Sequence, residues 1–219
     1  MRAVRMALVA GLVATQLMLA SGPAGAAGLP AFRHSWSRIT PALAARMHWS
    51  WRPGCPVPLS QLRYVRVSFV GFDRAAHLGE LVVNANVLTA VVGEFRSLYA
   101  QRFPIHRMHL VDDYKGVDEA SMAADNTSSF NCRPVLGTSS WSMHAFGEAI
   151  DVNPIENPSL LNHDPRRADP PAGQPYLNRS KARPGMVTAS VRAVFSSYGW
   201  GWGGHWSDRD LMHFSSNGR

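Results

Sequence analysis

The sequence predicts an α+β fold: a single domain with a small, mostly antiparallel sheet, flanking helices and long loops. Three observations support this class. Apolar and polar residues alternate over 63–72, which is typical of a strand. Apolar residues recur at helical offsets over 85–102 and again over 188–198, which predicts two amphipathic helices. Polar, turn-rich stretches over 112–143 and 153–186 are expected to be long loops.

The remaining elements are expected to be short. The prolines and aromatic residues of 27–54 show no clear periodicity, so this segment is expected to be a lead-in that wraps the domain or stays partly loose. The domain itself is expected to span 55–219. Further short strands are expected over 80–83, 106–111, 146–152 and 211–215.

Composition limits the class of protein. The chain has 219 residues, of which 46% are hydrophobic and 17% charged, as in a globular domain rather than a disordered one. The formal net charge of +7 favours contact with anionic surfaces. The sequence has no Lys/Arg run or basic–aromatic motif of the kind that nucleic-acid binders use. We therefore expect no nucleic-acid partner, and we expect a monomer.

The N-terminus has the pattern of a secretory signal peptide over 1–26. Arg2 and Arg5 give a positive start, residues 6–20 are almost wholly apolar, and residues 24–26 offer small side chains for cleavage. The apolar run is too short for a comfortable membrane span; a retained N-terminal anchor is the alternative. We predict a protein secreted to the cell envelope, without stable membrane insertion after cleavage.

The two cysteines, Cys55 and Cys132, are predicted to form a disulfide, because a single pair in an oxidising compartment is usually bonded. A metal-binding or nucleophilic cysteine is the alternative. The absence of a C-x-x-C spacing and the predicted export count against it.

Two stretches of the sequence together contain a ligand set for a catalytic zinc. His144, Asp151 and His213 supply two imidazoles and a carboxylate, and such sites leave the fourth position to water. His144 and Asp151 are seven residues apart and would face opposite sides of a straight strand. A turn between them is needed, and Gly147 is the expected pivot. Asp210 lies three residues before His213, where a carboxylate can accept a proton from that water.

Spacing alone leaves other interpretations open. The chain has nine histidines, so pairs at any given spacing arise by chance, and a histidine beside apolar residues is usually packed and hydrogen-bonded. His106, His109, Asp112 and Asp113 form a rival cluster, although the two histidines would face opposite ways on a strand. His205, in a glycine-rich turn, is interpreted as structural.

The stretch 142–151, SMHAFGEAID, resembles the S-x-H-x-x-G-x-A-x-D signature of the M15 family of zinc peptidases. That family contains D-alanyl-D-alanine carboxypeptidases and L-alanyl-D-glutamate endopeptidases. Residues 210–214, DLMHF, resemble its second motif, although many members have Glu at position 210. The resemblance runs from about Cys55 to the C-terminus. It implies one Zn²⁺ per chain, held by the three ligands named above, with Asp210 as the catalytic base.

The resemblance also assigns roles to two further residues. Arg133, at the end of the stretch SSFNCR, matches the family's upstream arginine, although it lies closer to His144 than in the carboxypeptidases. It is expected to hold a substrate carboxylate through a forked contact or to stabilise the oxyanion that develops during attack. A surface arginine beside a disulfide is the alternative. Ser142, the first residue of the signature, is expected to contact the substrate.

These expectations converge on a secreted zinc peptidase that acts on peptidoglycan stem peptides and resembles the D-alanyl-D-alanine carboxypeptidases. An L-alanyl-D-glutamate endopeptidase is the first alternative. A non-catalytic wall-binding module is the second, although every catalytic position is filled. A purely structural zinc is the third, but such sites usually have four protein ligands rich in cysteine.

Overall fold

The computed structural model describes residues 28–160 and 164–219, so the predicted signal peptide lies outside the described residues. Within these ranges, helices and small, mostly antiparallel sheets form a single α+β domain, as the sequence predicts. None of the described helices combines the length and apolarity that crossing a bilayer would require.

The first sheet is built on the alternating strand that the sequence predicts. β1 (His34–Arg38), β2 (Leu62–Val70) and β3 (Ala76–Asn84) pair antiparallel in that order. Val65 and Val67 of β2 are fully buried, because alternate side chains of this strand face the core. β1 belongs to the proline-rich segment 27–54, which therefore contributes the edge strand of this sheet.

Two amphipathic helices cover the core. α2 (Leu88–Ala100) buries Val91, Phe95 and Leu98 on one stripe and packs on β2. α5 (Ala189–Ser197) buries Val191, Val194 and Phe195. A third, short helix, α1 (Pro41–Arg46), follows β1 and is capped by the Thr40 hydroxyl. The two helices predicted from periodicity are thus confirmed, each slightly shorter than its apolar pattern.

A second sheet carries the residues that the sequence selects for chemistry. β6 (Ala149–Asp151), β10 (His213–Ser215) and β9 (Gly201–Trp202) pair antiparallel in the order β6-β10-β9. Phe214 of β10 stacks on Phe195 of α5 with ring centroids 3.8 Å apart. The buried stack fixes β10 against the core, and so fixes the side chains on its other face.

The stretches predicted as loops or plain strands contain more short elements than expected. In 112–143 the chain forms a 3₁₀ turn (Val111–Tyr114) and α3 (Asp118–Ala123). Elements this short leave too few apolar residues to show a period. The remaining elements are β4 (Arg107–Met108) paired in parallel with β5 (Asn126–Thr127), α4 (Met143–Phe146), the hairpin of β7 (Ser159–Leu160) with β8 (Ala168–Asp169), and 3₁₀ turns over Leu59–Gln61, Pro171–Tyr176 and Gly203–His205.

The predicted disulfide is present. Cys55 and Cys132 are bonded, with their Cα atoms 5.8 Å apart. The bridge ties the start of the domain to the residue immediately before Arg133, and Cys132 N–H also donates to the Ser50 carbonyl. The backbone at Arg133 is therefore held from two sides.

Candidate active site

His144 lies on α4, a single helical turn, and not on a strand. Ser142 caps this turn, its hydroxyl accepting a hydrogen bond from the His144 N–H at 3.3 Å. Gly147 ends the turn in the left-handed region, with φ of 70°. A Cβ at Gly147 would lie 2.8 Å from the Asn84 nitrogen. The predicted pivot is thus real, and it turns the chain from α4 into β6.

Asp151 and His213 lie directly opposite each other on β6 and β10. This cross-strand pairing brings the two side chains together. His144 reaches them from α4, so the odd spacing between His144 and Asp151 presents no obstacle. All three residues are buried, at 2%, 4% and 6% relative exposure for His144, Asp151 and His213.

The three side chains converge on one point. His144 Nε2 lies 3.2 Å from His213 Nδ1 and 3.1 Å from Asp151 Oδ2, and His213 Nδ1 lies 3.1 Å from Asp151 Oδ1. We call this group the His–Asp–His triangle. Among the described residues it is the only group of three or more His, Cys, Asp or Glu whose ligand atoms lie close enough together to hold a metal ion.

Hydrogen bonds behind the triangle select the tautomer of each imidazole. The other nitrogen of His144, Nδ1, lies 2.5 Å from the Ser129 carbonyl, and the other nitrogen of His213, Nε2, lies 3.4 Å from the Arg219 carbonyl. A carbonyl can only accept, so each of these nitrogens carries the proton. His144 Nε2 and His213 Nδ1 then present lone pairs to the centre, as in metal-ligating histidines held by backbone carbonyls.

The separations fit a tetrahedral metal. Zinc binds histidine nitrogen and carboxylate oxygen at about 2.0–2.2 Å in a tetrahedral arrangement, which places ligand atoms roughly 3.3–3.6 Å apart. The observed 3.1–3.2 Å is slightly tighter. Two imidazoles and one carboxylate are also a donor set that catalytic zinc accepts, with one position left for water.

The protonation of the triangle follows from its geometry. Burial acts to raise the pKa of Asp151, but contact with His144 and His213 outweighs it and holds that pKa well below its usual range. For His213, burial acts against the charged form, yet Asp151 and Asp210 raise its pKa above the ordinary value. The site thus attracts positive charge to a buried position, which a metal cation can supply.

Asp210 precedes β10 and faces the same site. Its Oδ1 is buried without a hydrogen-bond partner among the described residues. Burial, followed by the Asp151 charge, raises the pKa of Asp210 to about 6. Gly203 allows this placement, since a Cβ there would meet the Asp210 carbonyl at 2.8 Å and the His213 Cβ at 3.2 Å. An unsatisfied carboxylate oxygen beside the triangle suits a residue that binds a water molecule.

Arg133 lies beside Asp210 and carries the opposite charge. Its guanidinium forms an ion pair with Asp118 at 2.6 Å, while its Nε is buried without a partner in the described part of the chain. Burial opposes the charge of Arg133, but the carboxylates of Asp118, Asp151 and Asp210 outweigh it and raise the pKa. The interpretation as a plain surface arginine is therefore not favoured by the geometry.

Two clefts meet at the triangle. The acidic cleft, of about 410 Å³, contains Asp118, Glu119 and Asp169, while the aromatic cleft, of about 380 Å³, contains Trp141 and Trp206. Three residues line both clefts: Arg133, Val135 and Asp210. Asp151 faces the acidic cleft, and His144 and His213 face the aromatic one.

A hairpin loop over 134–141 borders both clefts. Pro134 pairs with Trp141, and Val135 N–H donates to the Ser140 carbonyl. Leu136 at its tip is 79% exposed. This loop lies within 112–143, which the sequence predicts as a loop, but nothing in the sequence places it at the clefts, and the sequence analysis does not select Asp118. Ser142 lines the aromatic cleft, but its hydroxyl is used as a helix cap, so its contact with substrate stays a prediction.

The rival histidine cluster does not converge. His106 faces Asp125 at 3.4 Å and His109 faces Asp113 at 3.5 Å, while Asp112 accepts from the backbone of residues 49 and 50. These side chains serve separate local contacts and do not form a metal site.

His205 stays outside the triangle. It is exposed and packs edge-on against Trp202, with ring centroids 5.2 Å apart.

Comparison with known proteins agrees with the site. A family model described as D-alanyl-D-alanine carboxypeptidase of the M15 peptidases matches residues 136–216. The match contains the His–Asp–His triangle and Asp210 but begins after Arg133. Searches of curated proteins and of solved structures returned no significant match. Over residues 136–216, the region that contains the site, the chain is therefore similar to the M15 family of peptidases.

Proposed function

We propose that this protein is an extracytoplasmic, zinc-dependent peptidase that hydrolyses peptidoglycan stem peptides in the manner of a D-alanyl-D-alanine carboxypeptidase. The observation that carries the proposal is the His–Asp–His triangle at the junction of two open clefts, in which the two imidazole nitrogens lie 3.2 Å apart and each lies 3.1 Å from an oxygen of Asp151. The disulfide supports an oxidising compartment. The predicted cleavage after residue 26 is part of the proposal.

The residues divide the chemistry between them. Bound zinc would polarise the scissile carbonyl and make a water molecule acidic enough to attack it near neutral pH. Asp210 accepts the proton of that water through its unpartnered oxygen and passes it to the leaving amine.

Arg133 serves the developing oxyanion in this proposal. It lies where the two clefts join, beside Asp210, and not at a far end where a chain terminus would be held. Asp118 fixes its guanidinium from behind. A fixed cation at the point where negative charge develops stabilises the transition state more than the ground state.

The charges of the clefts suggest how the peptide lies. The acidic cleft carries Asp118, Glu119 and Asp169, and burial, followed by the charges of the other two carboxylates, raises the pKa of Asp169. The aromatic cleft carries Arg219. We place the substrate's free carboxylate in the aromatic cleft, where Arg219 carries the opposite charge, and the rest of the stem peptide in the acidic cleft.

One observation favours a second candidate, the L-alanyl-D-glutamate endopeptidase. The two clefts meet at Asp210 and both open to solvent, which leaves room for peptide on each side of the bond. A carboxypeptidase needs a closed end on one side, where the free carboxylate of the substrate is held. An endopeptidase needs the open groove that two joined clefts provide.

Mass spectrometry of digested muropeptides tests the proposal. Zinc-loaded protein should release a single D-alanine from pentapeptide stems, whereas the endopeptidase would detach the peptide after L-alanine. Amidation of the terminal carboxylate should abolish the first reaction and spare the second. His213→Ala, which removes a ligand, is the matched control. Uncut muropeptides with fully loaded protein would instead support the wall-binding module.

A further inference from the structure

A third cavity, separate from the two clefts, lies beside the segment that carries Asp210. It has a volume of about 420 Å³ and is lined by three arginines, Arg179, Arg192 and Arg209. None of the described residues that line it is acidic. A cavity that gathers three guanidinium groups without a carboxylate has a strongly positive interior.

Arg179 has neutral partners. It donates to the Glu156 carbonyl at 2.8 Å, to Asn157 Oδ1 at 3.1 Å and to the Val187 carbonyl at 2.9 Å. These contacts hold the guanidinium in place without balancing its charge. Burial, together with the charges of Arg183 and Arg192, lowers the pKa of Arg179 to about 10. The cations therefore repel one another in a site where a bound anion would relieve the repulsion.

Arg192 is held over the face of Trp202, with its guanidinium carbon 4.8 Å from the ring centroid. Its Nε is buried and has no hydrogen-bond partner among the described residues. An unmade hydrogen bond from a buried, charged donor is costly. The stacked ring fixes the guanidinium plane at the wall of the cavity, where a terminal nitrogen of Arg192 lies 3.4 Å from His205 Nε2.

The N-terminus of α5 adds to the positive potential of this cavity. Thr188 and Ala189 line the cavity, and Thr188 makes no capping hydrogen bond from its side chain. Its hydroxyl instead contacts Ser190 Oγ at 2.9 Å. The first turn of the helix carries no acidic residue. The free backbone N–H groups and the helix dipole at this end favour an anion.

We propose that this arginine cavity binds a phosphate group, outside the peptidase site and independently of it. Donors from separate elements, two fixed guanidinium groups and a helix N-terminus, approach the cavity from different sides, which suits the several oxygens of a phosphate better than the two of a carboxylate. Free phosphate, the phosphodiester of an anionic wall polymer and a phospholipid head group share this chemistry. Arg209 adjoins Asp210, so an occupied cavity would hold the catalytic segment close to the anionic source.

Isothermal titration calorimetry on the zinc-loaded full chain tests the proposal with inorganic phosphate as the probe. Arg192→Gln and Arg209→Gln should each weaken phosphate binding about tenfold, because each removes a charge-assisted contact. Arg38→Gln is the matched control: it removes the same charge from exposed β1 and should leave binding unchanged. Phosphate bound at the metal would be insensitive to all three substitutions.

Two further titrations identify the source. A soluble poly(glycerol phosphate) and vesicles of anionic phospholipid are compared with the same variants, with zwitterionic vesicles as the blank. The natural source of the phosphate is identified by the probe that loses affinity in Arg192→Gln and Arg209→Gln. That probe should bind Arg38→Gln as it binds the parent. The proposal is overturned if no probe, inorganic phosphate included, distinguishes the cavity variants from the control. Because binding is measured without turnover, this result is independent of peptidase activity.

Discussion

The acceptor atoms of the His–Asp–His triangle would repel one another if nothing positive lay between them. Two imidazole lone pairs and a carboxylate lie within 3.1–3.2 Å of each other, and the backbone carbonyls behind the rings hold the remaining ring protons. Buried polar groups in this arrangement are normally compensated by a proton or a cation. At the scale of single residues, the proposed roles therefore fall to different side chains: the three of the triangle would hold the metal, and Asp210 would move the proton.

Asp210→Asn should keep the metal and lose turnover. The amide matches the carboxylate in size but cannot accept a proton, and loss of general base catalysis typically costs about 10²- to 10⁴-fold in kcat. Metal analysis and kinetics on the same preparation measure both effects. His213→Ala is the comparison and should lose metal and turnover together. If Asp210→Asn also released the metal, Asp210 would be a ligand and the proposed roles would be wrong.

Arg133→Lys should lower kcat while KM stays nearly constant. The lysine keeps the charge but has no rigid fork for Asp118 to hold, and in the proposed mechanism the fork acts on the oxyanion of the transition state rather than on the bound substrate. Steady-state kinetics on a stem-peptide substrate provide both constants. A rise in KM with little change in kcat would show instead that Arg133 holds a ground-state carboxylate.

At the scale of elements, the sequence predicts the helices and strands that are long enough to show a periodic apolar pattern, and it misses the short ones. β2, α2 and α5 follow from alternation and helical offsets, because each is long enough to repeat its apolar pattern. α3 and α4 contain six and four residues, and no period can be read from them. The helical turn that carries His144 therefore cannot be predicted from apolar periodicity.

The motif names the candidate ligands, but the way these side chains meet could not be predicted from it. The direct opposition of Asp151 and His213 depends on the register between β6 and β10, which are distant in sequence. The pairing of Arg133 with Asp118 depends on where α3 packs, and nothing in the sequence around Asp118 indicates that contact.

Gly203→Ala tests the element that presents Asp210, the proposed base. A Cβ at this position would lie 2.8 Å from the Asp210 carbonyl and 3.2 Å from the His213 Cβ, so the strand must move away. We expect about a 100-fold loss in kcat/KM, since a displacement near 1 Å at a reacting group has that effect. Gly28→Ala is the control, because a Cβ there would meet no atom of the described residues within 4 Å. Equal kcat/KM in both variants would show that the segment adapts freely.

At the scale of the whole molecule, stability should depend on pH through a carboxyl buried away from the triangle. Glu156 is 6% exposed, its Oε2 has no partner among the described residues, and burial followed by Asp125 raises its pKa to about 8. In the unfolded chain a glutamate titrates near ~4.3. Between these values the folded state binds more protons than the unfolded one, so stability should fall as pH rises through the window.

Glu156→Gln should remove part of this pH dependence. The amide cannot ionise, so the variant should gain stability relative to the parent as pH rises from about 5 to about 9. Urea denaturation at several pH values measures the free energy of unfolding for each protein. Glu119→Gln, at an exposed acid, should follow the parent at every pH. A Glu156→Gln profile parallel to the parent would mean that Glu156 is already ionised in the folded protein.

The cross-strand pairing of Asp151 with His213 implies that metal binding should raise the stability of the fold. A metal held there fastens two neighbouring strands and, through His144, the turn between α4 and β6, whereas the unfolded chain has no such site. A ligand that binds only the native state raises its stability by RT ln(1 + [L]/Kd), about 2.7 kcal/mol at roughly 100 times Kd. The melting temperature thus becomes a measure of occupancy: a series of melts against free zinc concentration would yield the affinity of the site before any substrate is known.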